Sequence, residues 1–373
     1  MKTVPALLVL EDGKTFHGES FGAQGETIGH AFFSTAMTGY QEGLTDPGSH
    51  QSVIIATAPH VGNTGWNDDD NESGRIWAAG LVVRDPSPRP SSWRATRSLV
   101  DEMTAQSLVG IAGIDTRALT TRLRDHGTMK VGISTTDLDP GSLLAKVRAW
   151  QPGNPVADVT TAEPYVVPSQ GEKSFTIAVV DLGMKAMAAR IMAAKGMDVH
   201  VLPATATLAD IQAVNPDGVV FAGGPGDPAA LSGVIDCVGA VLAAKIPVFA
   251  IGLGAQVFGL ALGLTTYPLK HGHHGTNIPV KDLATSKVWI TAHGHSHGLH
   301  APASDEIPTA YGTLRVTHRC INDQVAEGLH LLDDGVVVGM AVQFHPESGG
   351  GPHETSAFFD QFSAMMTTRR ASA

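Results

Sequence analysis

From Phe175 to Gly263 apolar runs of strand length alternate with helical stretches. FTIAVVDLG (Phe175–Gly183) is followed by the helical MAARIMAAKG and then by MDVHVLPA. PDGVVFAGGPGDP carries another strand into a glycine-rich loop, VGAVLAAK is helical, and IPVFAIGLG leads into AQVFGLALG. Uninterrupted apolar strands are those covered on both faces, and a strand–helix alternation at this spacing demands parallel strands joined by crossover helices. The second half is therefore expected to be a doubly wound parallel sheet, with its functional loops at the carboxyl ends of the strands.

The first half has a different grain. Ala6–Leu10, the turn Asp12-Gly13 and Thr15–Gly18 form a hairpin pattern. Val53–Thr57 and Ile76–Val83 read as further strands. ALTTRLRDHG, Ala118 to Gly127, sets Leu119 and Leu123 on one helical face, with Asp115 as N-cap. From Gln151 to Lys173 four prolines interrupt any period. The expected organisation is a mixed β-rich domain over 1–150, a linker over 151–173 and an α/β domain over 174–373.

A formal net charge of −11 over 373 residues leaves no basic surplus for displacing counterions from nucleic acid or for holding an anionic membrane. The start, MKTVPALLVLEDG, reads as a strand rather than a signal peptide, because its short apolar run meets Glu11 and Asp12. No run approaches the ~20 apolar residues of a membrane span. A cytoplasmic protein is expected. Two cysteines, Cys237 and Cys320, cannot build a disulfide scaffold.

The most informative stretch is IPVFAIGLGAQVFG. An apolar strand ends at Ile251, turns through Gly252-Leu253-Gly254 and enters a helix at Ala255. That is the frame of a nucleophile elbow, in which a tight strand-to-helix turn projects one side chain while the next amide and the helix N-terminus stabilise an oxyanion. The projecting position is Gly252, which has no side chain.

The stretch resembles the G-I-C-L-G-H-Q turn of class I glutamine amidotransferases. Gly252 stands at the cysteine and Ala255 at the histidine, while Gln256 is kept. QFHPE supplies His345 and Glu347, matching the family's general base and its orienting carboxylate. GGPGDP matches the N-G-P-G-D-P loop, which implies oxyanion donors at the amides of Gly224 and Leu253. The resemblance reaches into the first half through MTGYQE (Met37–Glu42), LTDP, PHVGNTG (Pro59–Gly65), GLVVRD and GIDTRALT, and GHHGTN and GPHE follow in the second. In order and spacing these are similar to the small chain of carbamoyl-phosphate synthetase. The resemblance implies a subunit supplying ammonia from glutamine for carbamoyl phosphate, in arginine and pyrimidine biosynthesis. It also implies a large-chain partner that carries ATP and Mg, with no cofactor on this chain.

Departures from the family pattern gather where glutamine is held. Gly48 replaces a serine, Gly223 an asparagine, and Gly294-His295-Ser296-His297 stands where N-H-G-[FY] is expected. Hydrolysis and binding of glutamine are therefore expected to be lost, leaving a structural or regulatory subunit of an ammonia-using complex. Two other readings stay open: a working glutamine-hydrolysing small chain, and a binding or sensor protein without a synthetase partner.

Histidines cluster in HGHH (His271–His274) and HGHSHGLH (His293–His300), seven of the chain's 17. His273, His274 and His295 agree with the family pattern, and no metal is expected on that ground. Alternating histidines on a strand nevertheless share one face, and His295, His297 and His345 form a candidate set for a divalent ion. WNDDDNES lacks the alternating ligands of a calcium loop and reads as a solvated acidic turn. GGPGDP has no following Lys-Ser/Thr, so it is not a nucleotide P-loop.

Overall fold

The computed structural model describes residues 4–302 and 306–372. The chain divides into two compact units, one of Met1–Pro155 with Lys270–Gly275, the other of Val156–Leu269 with Thr276–Ala373.

The first unit is built on a closed seven-stranded barrel. Around it run Pro5–Leu10, Thr15–Gly22, Val109–Ala112, Gly80–Val82, Ser52–Ala56, Glu26–Ser34 and Met129–Ser134, which returns to Pro5–Leu10. The hairpin closes with Leu8 opposite Phe16, and Leu8 faces Ile133 across the seam. Four neighbouring strands are parallel and the rest antiparallel, so the barrel is mixed. Closure removes the open strand edges that would otherwise invite pairing with other chains. Leu8, Leu10, Val53, Ile55, Ile111, Val131 and Ile133 fill the core. The predicted helix runs Thr116–His126, and Asp115 accepts from the Ala118 amide at 2.9 Å. Its inward stripe is Leu119 and Leu123, both buried. The expected strand over Ile76–Val83 shrinks to Gly80–Val82, because the Trp77 amide bonds the Leu44 carbonyl instead of a neighbouring strand.

In the second unit the strands Met197–Pro203, Phe175–Asp181, Gly218–Phe221, Val248–Ile251 and Val336–Val342 lie side by side and parallel. Ala326–Asp333, Gly312–Cys320, Thr265–Asp282 and Val288–His300 extend the same sheet beyond Val336–Val342. Period-two alternation sorts the side chains of Val248–Ile251 between two cores. Val248 and Ala250 pack with Val238 and Val241 of the helix Ser232–Ala243 and with Val257 and Phe258 of Leu253–Ala261. Phe249 and Ile251 face the opposite side, with Met192 of Ala186–Ala194 and Phe358, Phe359 and Phe362 of Ala357–Ser372. Phe249 meets Phe359 edge-to-face at 5.5 Å between ring centroids, a preferred aromatic geometry. This is the doubly wound arrangement that the apolar runs require.

The stretch 151–173 is not bare connection. It holds a short helix, Pro155–Val159, and a strand, Tyr165–Val167, that pairs antiparallel with Met197–Pro203. The strand sits at the sheet's edge, where the flanking Pro164 and Pro168 cost no ladder hydrogen bonds. No helix among the described residues is long and apolar enough to cross a membrane.

Candidate active site at an empty elbow

Two adjacent parallel strands deliver the site. Ile251 is in register with Val342, so the residues that follow them, Gly252 on one and Gln343 to His345 on the other, emerge together at the carboxyl edge. Phe221 is paired with Ala250 on the other side, which brings in the loop Ala222–Gly226. This edge is where open α/β sheets place their chemistry.

Gly252 adopts φ 56° and ψ −117° between the strand and the helix Leu253–Ala261. A positive φ suits glycine and strains any other residue. The Gly252 amide donates to the Val342 carbonyl at 2.9 Å, and its own carbonyl accepts from Ala255 and Gln256 as the helix begins. A β-carbon built on Gly252 would lie 3.1 Å from His345 Cε1 and 3.6 Å from His345 Nε2. Its projecting direction therefore runs straight at an imidazole.

The other glycines of the turn are there for space. A β-carbon at Gly254 would stand 2.2 Å from the Phe221 carbonyl oxygen, and one at Gly224 would stand 1.9 Å from that of Leu182. Both positions exclude any side chain. Leu253 is the first helical residue, so its amide has no helical carbonyl to bond and the helix dipole favours negative charge there.

His345 and Glu347 are both buried, and Nδ1 of the ring lies 2.8 Å from Glu347 Oε1. A carboxylate can only accept, so the ring donates from Nδ1 and leaves Nε2 toward Gly252. Burial pushes the Glu347 carboxyl up, but the charge and hydrogen bond of His345 oppose it, and the net result is a lowered value.

The remaining candidate positions are dispersed in role. Gln256 is buried and its amide nitrogen donates to the His297 carbonyl at 2.8 Å and to Gln343 Oε1 at 3.0 Å, so it ties the helix to the strands. Gly294 faces His345 Nε2 with room for a β-carbon at 3.6 Å. Ser296 is half-buried beside it in the strand. The imidazole of His297 reaches toward Asp227, with Nε2 3.9 Å from Oδ1, and burial lowers its pKa against the pull of that carboxylate. Gly48 belongs to the first unit, in the turn Pro47–Ser49, where its amide donates to Asp46 Oδ1 at 2.8 Å.

His295, His297 and His345 do not form a common ligand set among the described residues. His345 is committed to Glu347, and His297 contributes its carbonyl, not its ring, to His295 Nδ1. His295 points instead at His293 and Glu327. Neither His293 nor Glu327 belongs to the ligand set expected from the sequence. The alternation from His293 to His295 was a usable signal, but Glu327 sits on a different strand, Ala326–Asp333.

Cys237 and Cys320 are both buried, and burial pushes their thiols up to about 11 and about 12. The acidic turn is tied to the protein's own arginines. Asp70 pairs with Arg94 at 2.6 Å and Asp68 with Arg97 at 2.8 Å.

Residues 8–133 match the family described as carbamoyl-phosphate synthase small chain, CPSase domain, and residues 178–365 match glutamine amidotransferase class-I. A carbamoyl phosphate synthase small chain of Streptomyces avermitilis is 53% identical, covering 99% of this chain and 97% of that protein. The chain belongs to the carbamoyl-phosphate synthase small-chain family. Similar proteins of the same description from Mycobacterium tuberculosis and Corynebacterium glutamicum are each 48% identical over 97% and 98% of this chain. The barrel of the first unit and the parallel sheet of the second correspond to the two matched segments. The elbow at Gly252 thus lies within the segment that matches glutamine amidotransferase class-I.

Proposed function

We propose that this small chain does not hydrolyse glutamine and acts as a structural or regulatory subunit, binding a carbamoyl-phosphate synthase large chain that works on free ammonia. ATP and Mg²⁺ are handled on that large chain. The observation that carries the reading is Gly252 itself, a nucleophile position with elbow backbone, a histidine in reach and no atom to attack with. Loss of the nucleophile from a catalytic triad removes ~10⁶ of rate even where the base and oxyanion donors remain. His345 and Glu347 then keep the geometry of base and orienter without a proton to move. The Gly224 and Leu253 amides keep the place of oxyanion donors. The buried thiols support the same reading, since a nucleophilic cysteine needs a depressed pKa and an adjacent base.

The test is to mix the chain with a matching large chain and follow glutamate release and carbamoyl phosphate formation separately. The expected result is synthesis from ammonia with no glutamate released. Glutamine-supported synthesis above the ammonia blank would overturn the proposal.

A further inference from the structure

His293, His295 and Glu327 bring possible metal-ligand atoms together within the second unit. His293 and His295 stand two residues apart on Val288–His300, and Glu327 comes from Ala326–Asp333. All three are buried. His293 Nδ1 lies 3.1 Å from His295 Nε2 and 3.8 Å from Glu327 Oε2, and His295 Nε2 lies 3.4 Å from the same oxygen.

The outer partners of the two rings decide what these atoms are. His295 Nδ1 is 2.8 Å from the His297 carbonyl oxygen, which can only accept, so the ring carries its proton on Nδ1 and turns the Nε2 lone pair inward. The Thr291 hydroxyl donates to the Ile278 carbonyl at 2.8 Å. Its oxygen is therefore left to accept from His293 Nε2 at 2.6 Å, and the inward-facing Nδ1 of His293 is also a lone pair. Neutral rings would thus aim two lone pairs and a carboxylate oxygen at one point. Rings held from behind by a carbonyl and by a hydroxyl that is itself fixed are the arrangement that orients histidines toward a metal.

We propose that His293, His295 and Glu327 bind a divalent transition-metal ion, with zinc as the best match. Two imidazoles and one carboxylate form an established zinc donor set. Tetrahedral bonds of ~2.0–2.1 Å place neighbouring ligand atoms roughly 3.3 Å apart, and the separations here bracket that value. The ion's role is to tie Val288–His300 to Ala326–Asp333 within this unit, and it is independent of whether glutamine is hydrolysed.

The test uses the full chain, tag-free, stripped with a chelator and then titrated with Zn²⁺, with bound metal counted by mass spectrometry and affinity set by competition with a chromophoric chelator. One zinc per chain is expected, also in His353→Gln, a control at an exposed histidine. His293→Gln should lose stoichiometric binding. Thr291→Val, which keeps shape and removes the hydroxyl behind the ring, should weaken affinity by ~10–100-fold. No uptake by the folded parent chain would overturn the proposal and leave a proton-bridged histidine pair. Parent-like affinity in His293→Gln would also overturn it. If that variant does not fold by circular dichroism, undiminished affinity in folded Thr291→Val overturns it in its place.

Discussion

The α-carbon of Gly252 points at His345: the missing side chain would begin 3.1 Å from Cε1 and 3.6 Å from Nε2 of that ring. The relationship is set by the sheet, because Ile251 and Val342 are register partners on adjacent parallel strands. It holds without any side chain at 252, so the turn is maintained by its neighbours. The Gly252 amide is bonded to Val342, and Gly254 packs on the Phe221 carbonyl. The turn at Gly252 thus keeps its elbow geometry with no side chain to present.

Gly252→Cys is therefore expected to put a thiol beside His345. A non-glycine residue at φ 56° should cost about 1–3 kcal/mol, measurable by urea denaturation. The new thiol should react with iodoacetamide at neutral pH while Cys237 and Cys320 do not, and His345→Ala in the same background should slow the labelling. Glutamate release should stay near the blank if, as proposed, the residues at Gly48, Gly294 and His297 also deny glutamine a site. Brisk glutaminase activity in the single variant would show that these three departures are harmless.

The Glu347 carboxyl gives a pH prediction. Its pKa in the folded chain is below the ordinary 4.5, so the folded form holds the proton less tightly than the unfolded one. The stability this contributes is fully present above about pH 4.5 and is lost as pH falls through the lower folded value. Glu347→Gln keeps the shape and removes the charge. It should destabilise by about 1.5–3 kcal/mol at pH 7, the scale of a charge-assisted hydrogen bond. The gap between parent and variant should close as pH drops below about 4.5 and through the lower folded value. A gap independent of pH would mean that the carboxylate is not the source of the stability.

Local pattern carried most of what the sequence disclosed. Val248–Ile251, the glycines after it and the helix behind it are one contiguous stretch, and QFHPE announces its own histidine and glutamate. The strand end and its partner could thus be paired by motif. Tyr165–Val167 was hidden among prolines, since an edge strand of three residues has too few positions to show a period. The His293–His295–Glu327 cluster was hidden for a different reason. It depends on which antiparallel strands follow the parallel core, and no local period encodes that order.

Glycine at the loop offers a contrast within one site. Gly224→Ala would drive a β-carbon to 1.9 Å from the Leu182 carbonyl oxygen, a backbone atom that cannot swing aside. Overpacking of this kind costs about 1–3 kcal/mol and occasionally more. Gly294→Ala meets only His345 Nε2, at ordinary contact distance, and should be neutral or stabilise by up to about 1 kcal/mol through loss of glycine's backbone freedom in a strand. Thermal melts of the two variants should move in clearly different directions or by clearly different amounts.

Thiol accessibility separates the two accounts of how this chain could still act on glutamine. With both native cysteines buried and their thiols raised by burial to about 11 and about 12, the thiolate fraction at pH 7 is negligible for each. A disulfide reagent added to the native chain should modify neither within the time that a free thiol reacts to completion. Two equivalents should react at once in denaturant, matching the chain's two cysteines. A native chain that titrates one thiol quickly would place a reactive cysteine where this fold shows none, and glutamine hydrolysis would then have a nucleophile. If none titrates and glutamate is nevertheless released, the attacking group must be water, activated by some other element of the chain.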